Sequence, residues 1–246
     1  MKNASVALLA ALAWATPAFA VEPEKAPAPK EAKELVTSKD QTPAKAPGEA
    51  AAFTIKVDTS EVPVMEAYGK QVQKVAEEWY PKLIPMLPSD GFTPAQTVTI
   101  TFRKDDKGVA YASGNRIVAS DAWFKKNPKD LGAFVHELVH VVQAYPRGRR
   151  PGWLVEGIAD YIRFFQYEPE SARPKPNPAR AKHTDSYRTT GHFLNWAQAK
   201  YDKDLVVKLN AAFRQSKYTE DLWKQYTGKT LDELGAEWKA SLAQAK

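Results

Sequence analysis

The chain has 246 residues, a formal net charge of +6 and no cysteine. The length suits one or two domains. The missing cysteines exclude a disulfide framework and a lipid anchor on sulfur, so the fold must rest on a hydrophobic core, which a chain of this size can bury.

The first residues carry a targeting pattern. Lys2 is followed by an apolar run from Ala4 to Ala15, and Ala18-Phe19-Ala20 fits a small-x-small cleavage site. This predicts a secretory signal peptide over residues 1–20, cleaved after Ala20, and a secreted or periplasmic protein. No later apolar stretch approaches about 18 residues, so no transmembrane segment is expected. Residues 21–51 are rich in Ala, Pro, Lys and Glu and nearly lack large apolar side chains. Such a segment cannot bury enough surface to offset its chain entropy. It reads as a disordered leader or tether, with a pro-segment over the active site as the alternative. The leader is almost neutral, so the positive charge belongs to residues 52–246. A basic exported domain is a candidate for anionic cell-wall or surface polymers. Nucleic acid is not expected, because no Lys/Arg stripe with interleaved aromatics occurs.

Phe53-Thr54-Ile55-Lys56-Val57 alternates as a half-buried strand does. From Val64 to Ile84, Ala67, Val72, Val75, Ala76 and Trp79 recur at helical spacing, and Pro81 and Pro85 punctuate the end. Thr97 to Phe102 is β-branched and reads as a strand. A turn at Asp105–Gly108 leads to short strands near Val109–Tyr111 and Arg116–Ala119, joined at Gly114-Asn115. Helices then take over: Lys129 to Tyr145, Trp153 to Phe165 and, after a Pro-rich loop, three or four more from Tyr187 onward. Strands first and helices later predict an α+β domain, a small N-terminal sheet followed by a mostly helical part.

The helix over 129–145 contains His136-Glu137-Leu138-Val139-His140, or H-E-x-x-H. Histidines four apart project from one helix face, about 6 Å apart along the axis. Two such imidazoles can bind one zinc ion, with the intervening glutamate as general base toward an activated water. Burying two His and one Glu in so apolar a helix is costly without a partner such as a metal. A catalytic site needs a third protein ligand and one open position. The pattern with a third histidine ten residues after the first is excluded, because that position holds Pro146. Glu156, sixteen residues after His140, is the stronger candidate. Asp160 lies one turn further on the same face and can support a ligating imidazole. The reverse assignment, with Asp160 ligating, is the alternative.

The segments HELVHVVQ, PGWLVEGIADYIRF and SYRTTGHFLNW closely resemble the basic secretory protein family, peptidase-like zincins of plants and bacteria. The resemblance covers most of residues 53–240. It implies a zinc-dependent peptidase fold with His136, His140 and Glu156 as ligands, Glu137 as base and Asp160 supporting a ligand. The short span from His140 to Glu156 departs from the best-known glutamate-ligand zincins and leaves little room for a lobe between the two helices. Tyr187 matches the tyrosine of the family's third motif and is the first candidate for the oxyanion donor, ahead of Tyr161 and His192.

Two further expectations follow from order along the chain. The strand Arg116–Ala119 is a candidate edge for pairing with an extended peptide. The loop with Arg147, Arg149 and Arg150 lies between the two ligand helices and is a candidate reader of acidic groups. The reading reached is a monomeric, secreted zinc metallopeptidase acting on peptide or protein substrates. Its rivals are a zinc hydrolase of cell-wall peptides and a non-catalytic basic binding protein.

Overall fold

A computed structural model describes residues 53–104, 107–148 and 150–244. The expected signal peptide, leader, Asp105-Asp106 turn and Arg149 lie outside the described residues. The architecture is α+β, a small sheet with a mostly helical remainder. In chain order the sheet part comprises β1 (Thr54–Asp58), α1 (Glu66–Met86), β2 (Thr97–Arg103), β3 (Ala110–Ser113) and β4 (Arg116–Ser120). There follow α2 (Asp121–Lys126), α3 (Gly132–Gln143) and α4 (Gly152–Ile162), the last running on into a π-helical turn, Arg163–Tyr167. The chain closes with α5 (Tyr187–Lys200), α6 (Leu205–Arg214), α7 (Asp221–Thr227) and α8 (Leu231–Gln244). Among the described residues, no helix is long and apolar enough to cross a membrane.

The strand order is β1-β2-β4-β3. β1 and β2 run parallel, in register from Thr54↔Thr97 to Asp58↔Thr101, with α1 as the crossover that parallel neighbours require. β2 pairs parallel with β4, and β3 pairs antiparallel with β4 from Ala110↔Ala119 to Ser113↔Arg116. The expected edge strand is therefore interior. β4 sits between β2 and β3, and Ile117, Val118 and Ala119 are all buried. The edge strands are β1 and β3, since the tight turn at Gly114-Asn115 folds β3 back along the outside of β4.

α1 also departs from expectation, since Pro81 and Pro85 lie inside it rather than at its end. Each proline frees one carbonyl a turn earlier. Both are exposed and four apart, so they share the solvent face, where water can satisfy those carbonyls. The opposite face, Val72, Ala76, Tyr80 and Leu83, is wholly buried against β1 and α3. α2 is a short helix that periodicity did not reveal.

Two aromatic groups anchor the interior. Phe102, Phe124 and Phe134 gather around Tyr68 beneath the sheet, with Phe124 and Phe134 stacked at 4.6 Å. Phe193, Trp223 and Trp238 do the same among the C-terminal helices. Fully burying each large apolar side chain contributes about 1.5–3 kcal/mol. α3 lies between sheet and helices, and eleven of its twelve residues are buried. A helix apolar on every side is an interior helix, which makes its two histidines and glutamate conspicuous.

Candidate active site

α3 supplies His136, Glu137 and His140, and α4 supplies Glu156 and Asp160. The two helices pack directly on each other, and α5 packs along α4. Gly157 and Gly191 let α5 lie directly on α4: a Cβ at Gly191 would come within 2.9 Å of the Tyr161 nitrogen and 3.0 Å of the Asp160 carbonyl carbon. A Cβ at Gly157 would come within 2.2 Å of the Thr190 methyl carbon.

Three donor atoms converge. Nε2 of His136 lies 3.1 Å from Nε2 of His140 and 3.1 Å from Oε2 of Glu156, and His140 Nε2 is 3.3 Å from the same oxygen. The other ring nitrogens fix the tautomers. His136 Nδ1 lies 2.6 Å from Oδ1 of buried Asp160, a carboxylate that can only accept. His140 Nδ1 lies 2.8 Å from Oε1 of Gln143, whose amide nitrogen donates to the Val155 carbonyl at 3.0 Å. In its neutral form each imidazole therefore carries its proton on Nδ1 and turns Nε2 toward Glu156. Three lone-pair donors facing one another repel unless a proton or a metal cation lies between them. For metal–ligand bonds of about 2.0–2.1 Å, tetrahedral neighbours stand about 3.3–3.4 Å apart, which these separations approach. The His136–His140–Glu156 cluster can hold a metal ion.

The electrostatics have the same sign. Burial opposes charging His136, but hydrogen bonds to Asp160 and Glu156 outweigh it and raise its pKa to about 9. Burial likewise favours a neutral Glu156, yet the two imidazoles draw its pKa down to about 2. The surround of these nitrogens is one in which positive charge is stabilised. Glu137 differs from its neighbours. Burial lifts its pKa above the usual carboxylate range, partly countered by the histidines, and the Ala112 N–H of edge strand β3 donates to it.

The cluster opens into a cleft of about 1090 Å³. β3 forms one wall and the first turn of α5 another, where Tyr187 stacks over the His136 ring at 6.1 Å. Tyr187 is 54 % exposed, and its pKa is raised chiefly by the charge of Glu156. The two rival donors are elsewhere. Tyr161 is buried, accepting from Gln166 and Gln198, and His192 Nδ1 accepts from the Trp238 indole. Neither lines the cleft. Of the arginine loop, Arg150 reaches the cleft, while its guanidinium lies over Tyr145 and bonds the Pro146 carbonyl. Arg147 does not line it.

Gln143 escaped the sequence reading. The available signal was a fully polar residue three places after His140, in a run otherwise apolar. Arg214 was also not legible. From the end of α6 it donates to the carbonyls of Val142 and Gln143, to Leu87 and to Ser89, with its guanidinium 3.7 Å from the Phe92 ring centroid. It thereby satisfies the free C-terminal carbonyls of α3 with a cation.

Residues 36–238 match the family model BSP, described as "Peptidase of plants and bacteria". No curated protein and no solved structure matches the chain.

Proposed function

The chain belongs to this family of peptidases, and we propose that it is a secreted, zinc-dependent peptidase of zincin type, with His136, His140 and Glu156 as metal ligands and Glu137 as general base. The observation that carries this reading is the convergence of two imidazole nitrogens and one carboxylate oxygen within 3.1–3.3 Å. Two imidazoles and a carboxylate are a donor set suited to zinc, with one coordination position left for substrate chemistry. When bound, the ion supplies Lewis acidity toward water and a carbonyl oxygen.

The remaining work belongs to the side chains. Glu137 takes a proton from the attacking water and returns it to the leaving amine. Its raised proton affinity suits both transfers, because a carboxylate with an ordinary pKa is a weak base near neutrality. Asp160 and Gln143 hold the imidazoles with Nε2 inward. Tyr187 keeps its proton under the negative charge of Glu156 and donates a hydrogen bond to the developing oxyanion. An extended peptide pairs with the open edge of β3. The Ala112 N–H points to that edge, since it reaches Glu137, and alternation in an antiparallel pair gives Ala110 the same orientation.

The test is incubation with a diverse peptide mixture read by mass spectrometry, beside a Glu137→Gln control. New products from the wild type alone are expected, with turnover falling about 10²–10⁴-fold in the control. Equal products from both, or a control that has lost its metal, would refute the assignment of Glu137.

A further inference from the structure

Three arginines line the cleft: Arg150, Arg163 and Arg188. Two of them are already engaged. Arg163 pairs with Asp130 at 2.5 Å and with Glu168 at 3.5 Å. Arg150 is turned back on its own loop through Pro146 and Tyr145. Arg188 differs. Its guanidinium lies over the ring of buried Phe164, 4.9 Å from the centroid, and no acidic side chain pairs with it among the described residues. Arg163 lies over the same ring at 4.8 Å, so the nearby acidic groups Asp130 and Glu168 are taken up by the neighbouring cation.

Position makes this open guanidinium chemically useful. Arg188 follows Tyr187, whose ring stacks on His136. Phe164 stands one helical turn past Asp160, which bonds His136. The aromatic face fixes the guanidinium plane and leaves its edge of N–H donors open, an arrangement that matches a carboxylate in two parallel hydrogen bonds. The same end of the cleft carries Trp123, 37 % exposed, with its indole nitrogen bound to Asp130. An exposed aromatic surface and an open cation stand together there.

Resting on the peptidase reading above, we infer that Arg188 is a specificity-determining residue that holds a carboxylate of the substrate, close to the bond that is cut. The carboxylate comes either from the substrate's own C-terminus or from an Asp or Glu side chain. The chemistry at the guanidinium is the same for both.

Binding tests this apart from turnover. The full chain with Glu137→Gln, loaded with zinc, is titrated with alanine-based hexapeptides carrying one Phe. Each peptide is used as free acid, as amide, and as amide with one Glu, or its Gln counterpart, at each position in turn. A carboxylate form should bind about tenfold tighter than its neutral partner, and this preference should collapse toward unity when Arg188→Gln is added. Preference for the free acid names the C-terminus as the source; preference for Glu over Gln at one position names the side chain. Arg188→Lys should recover only part of the preference, since it keeps the charge and loses the fork. A preference that survives Arg188→Gln would belong to the metal and overturn the inference. Equal affinity for acid and neutral forms, or no binding of any form, would overturn it too. Whether the wild type cleaves the same peptides is a separate result and bears only on the peptidase reading.

Discussion

Gln143→Leu and Gln143→Glu separate the two tasks of one side chain. Gln143 is 2 % exposed; its side chain accepts from His140 Nδ1 at 2.8 Å, donates to the Val155 carbonyl at 3.0 Å and also hydrogen-bonds Tyr145. Arg214 contacts only its backbone carbonyl, so that clamp survives either change. Leucine removes these bonds and strands the His140 donor and the Val155 acceptor. Each unsatisfied buried group costs about 1–3 kcal/mol. The His140 side chain is 17 % exposed, so water can partly replace its lost partner. That places the loss in the metal-free protein near 2 kcal/mol. Metal affinity should fall about 10–100-fold, or roughly 1.4–2.7 kcal/mol, because a ring without an anchored Nδ1–H is neither oriented nor made more basic. Glutamate keeps an acceptor for His140 but cannot donate to Val155. It should therefore lose stability like the leucine variant, yet bind zinc at least as tightly as the wild type. Competition against a chelator of known affinity gives the metal term; thermal melts in excess chelator give the metal-free term. Equal zinc affinity in wild type and both variants, within threefold, would refute the claim that Gln143 sets the His140 tautomer.

The other predictions concern protons and packing. In the metal-free protein, the raised pKa of His136 contributes stability that is complete below its ordinary value of 6.5 and lost as pH rises through about 9. The lowered pKa of Glu156 contributes stability present above its ordinary 4.5 and lost as pH falls toward about 2. The metal-free melting temperature should therefore peak between those ordinary values. Zinc must displace the His136 proton, so near pH 7 binding should release about one proton from this ring and tighten about tenfold per pH unit up to about 9. Calorimetry in two buffers of different ionisation enthalpy measures the release, and none at pH 7 would contradict the assignment. Gly191→Ala sets overpacking of about 1–3 kcal/mol against a helix-propensity gain of at most about 1 kcal/mol. Since its Cβ would meet backbone of α4 rather than a flexible side chain, the loss should win, and a raised melting temperature would disprove the close approach.

Most of the candidate site is legible from motif and spacing. His136, Glu137 and His140 are legible because a helix puts i and i+4 on one face, and Glu156 and Asp160 repeat that logic on the next helix. The order of ligand and support at Glu156 and Asp160 was open from spacing alone. In the structure, Glu156 faces both Nε2 atoms and Asp160 faces Nδ1 of His136. What failed was anything set by contacts between distant segments. Pro81 and Pro85 read as a helix end because local rules cannot show that their face meets only water. β4 read as the edge because strand order in a sheet is not order along the chain. Arg188 was passed over because an arginine's value depends on which carboxylates its neighbours have already taken.

The rim of the cleft asks more of the chain than its floor does. The floor is α3, buried on every side and held at its C-terminal end by Arg214. The rim is the start of α5, where Ser186 and Tyr187 both adopt positive φ, 68° and 43°. Ser186, with ψ of 177°, occupies a region that side-chain-bearing residues rarely enter, and such conformations cost about 1–3 kcal/mol each. They persist only if the surroundings over-determine them. Here the surroundings do so from two directions. Downstream, Gly191 and Thr190 lock α5 against α4, and the Thr190 hydroxyl donates to the His183 carbonyl at 2.8 Å. Upstream, the Lys182 N–H donates to Asp185 at 2.8 Å and closes the preceding turn. A relaxed backbone at Ser186 and Tyr187 would swing the tyrosine off His136 and carry Arg188 with it. The strain is thus the local cost of placing two rim side chains, one over the ligand cluster and one beside it, from a single helical turn.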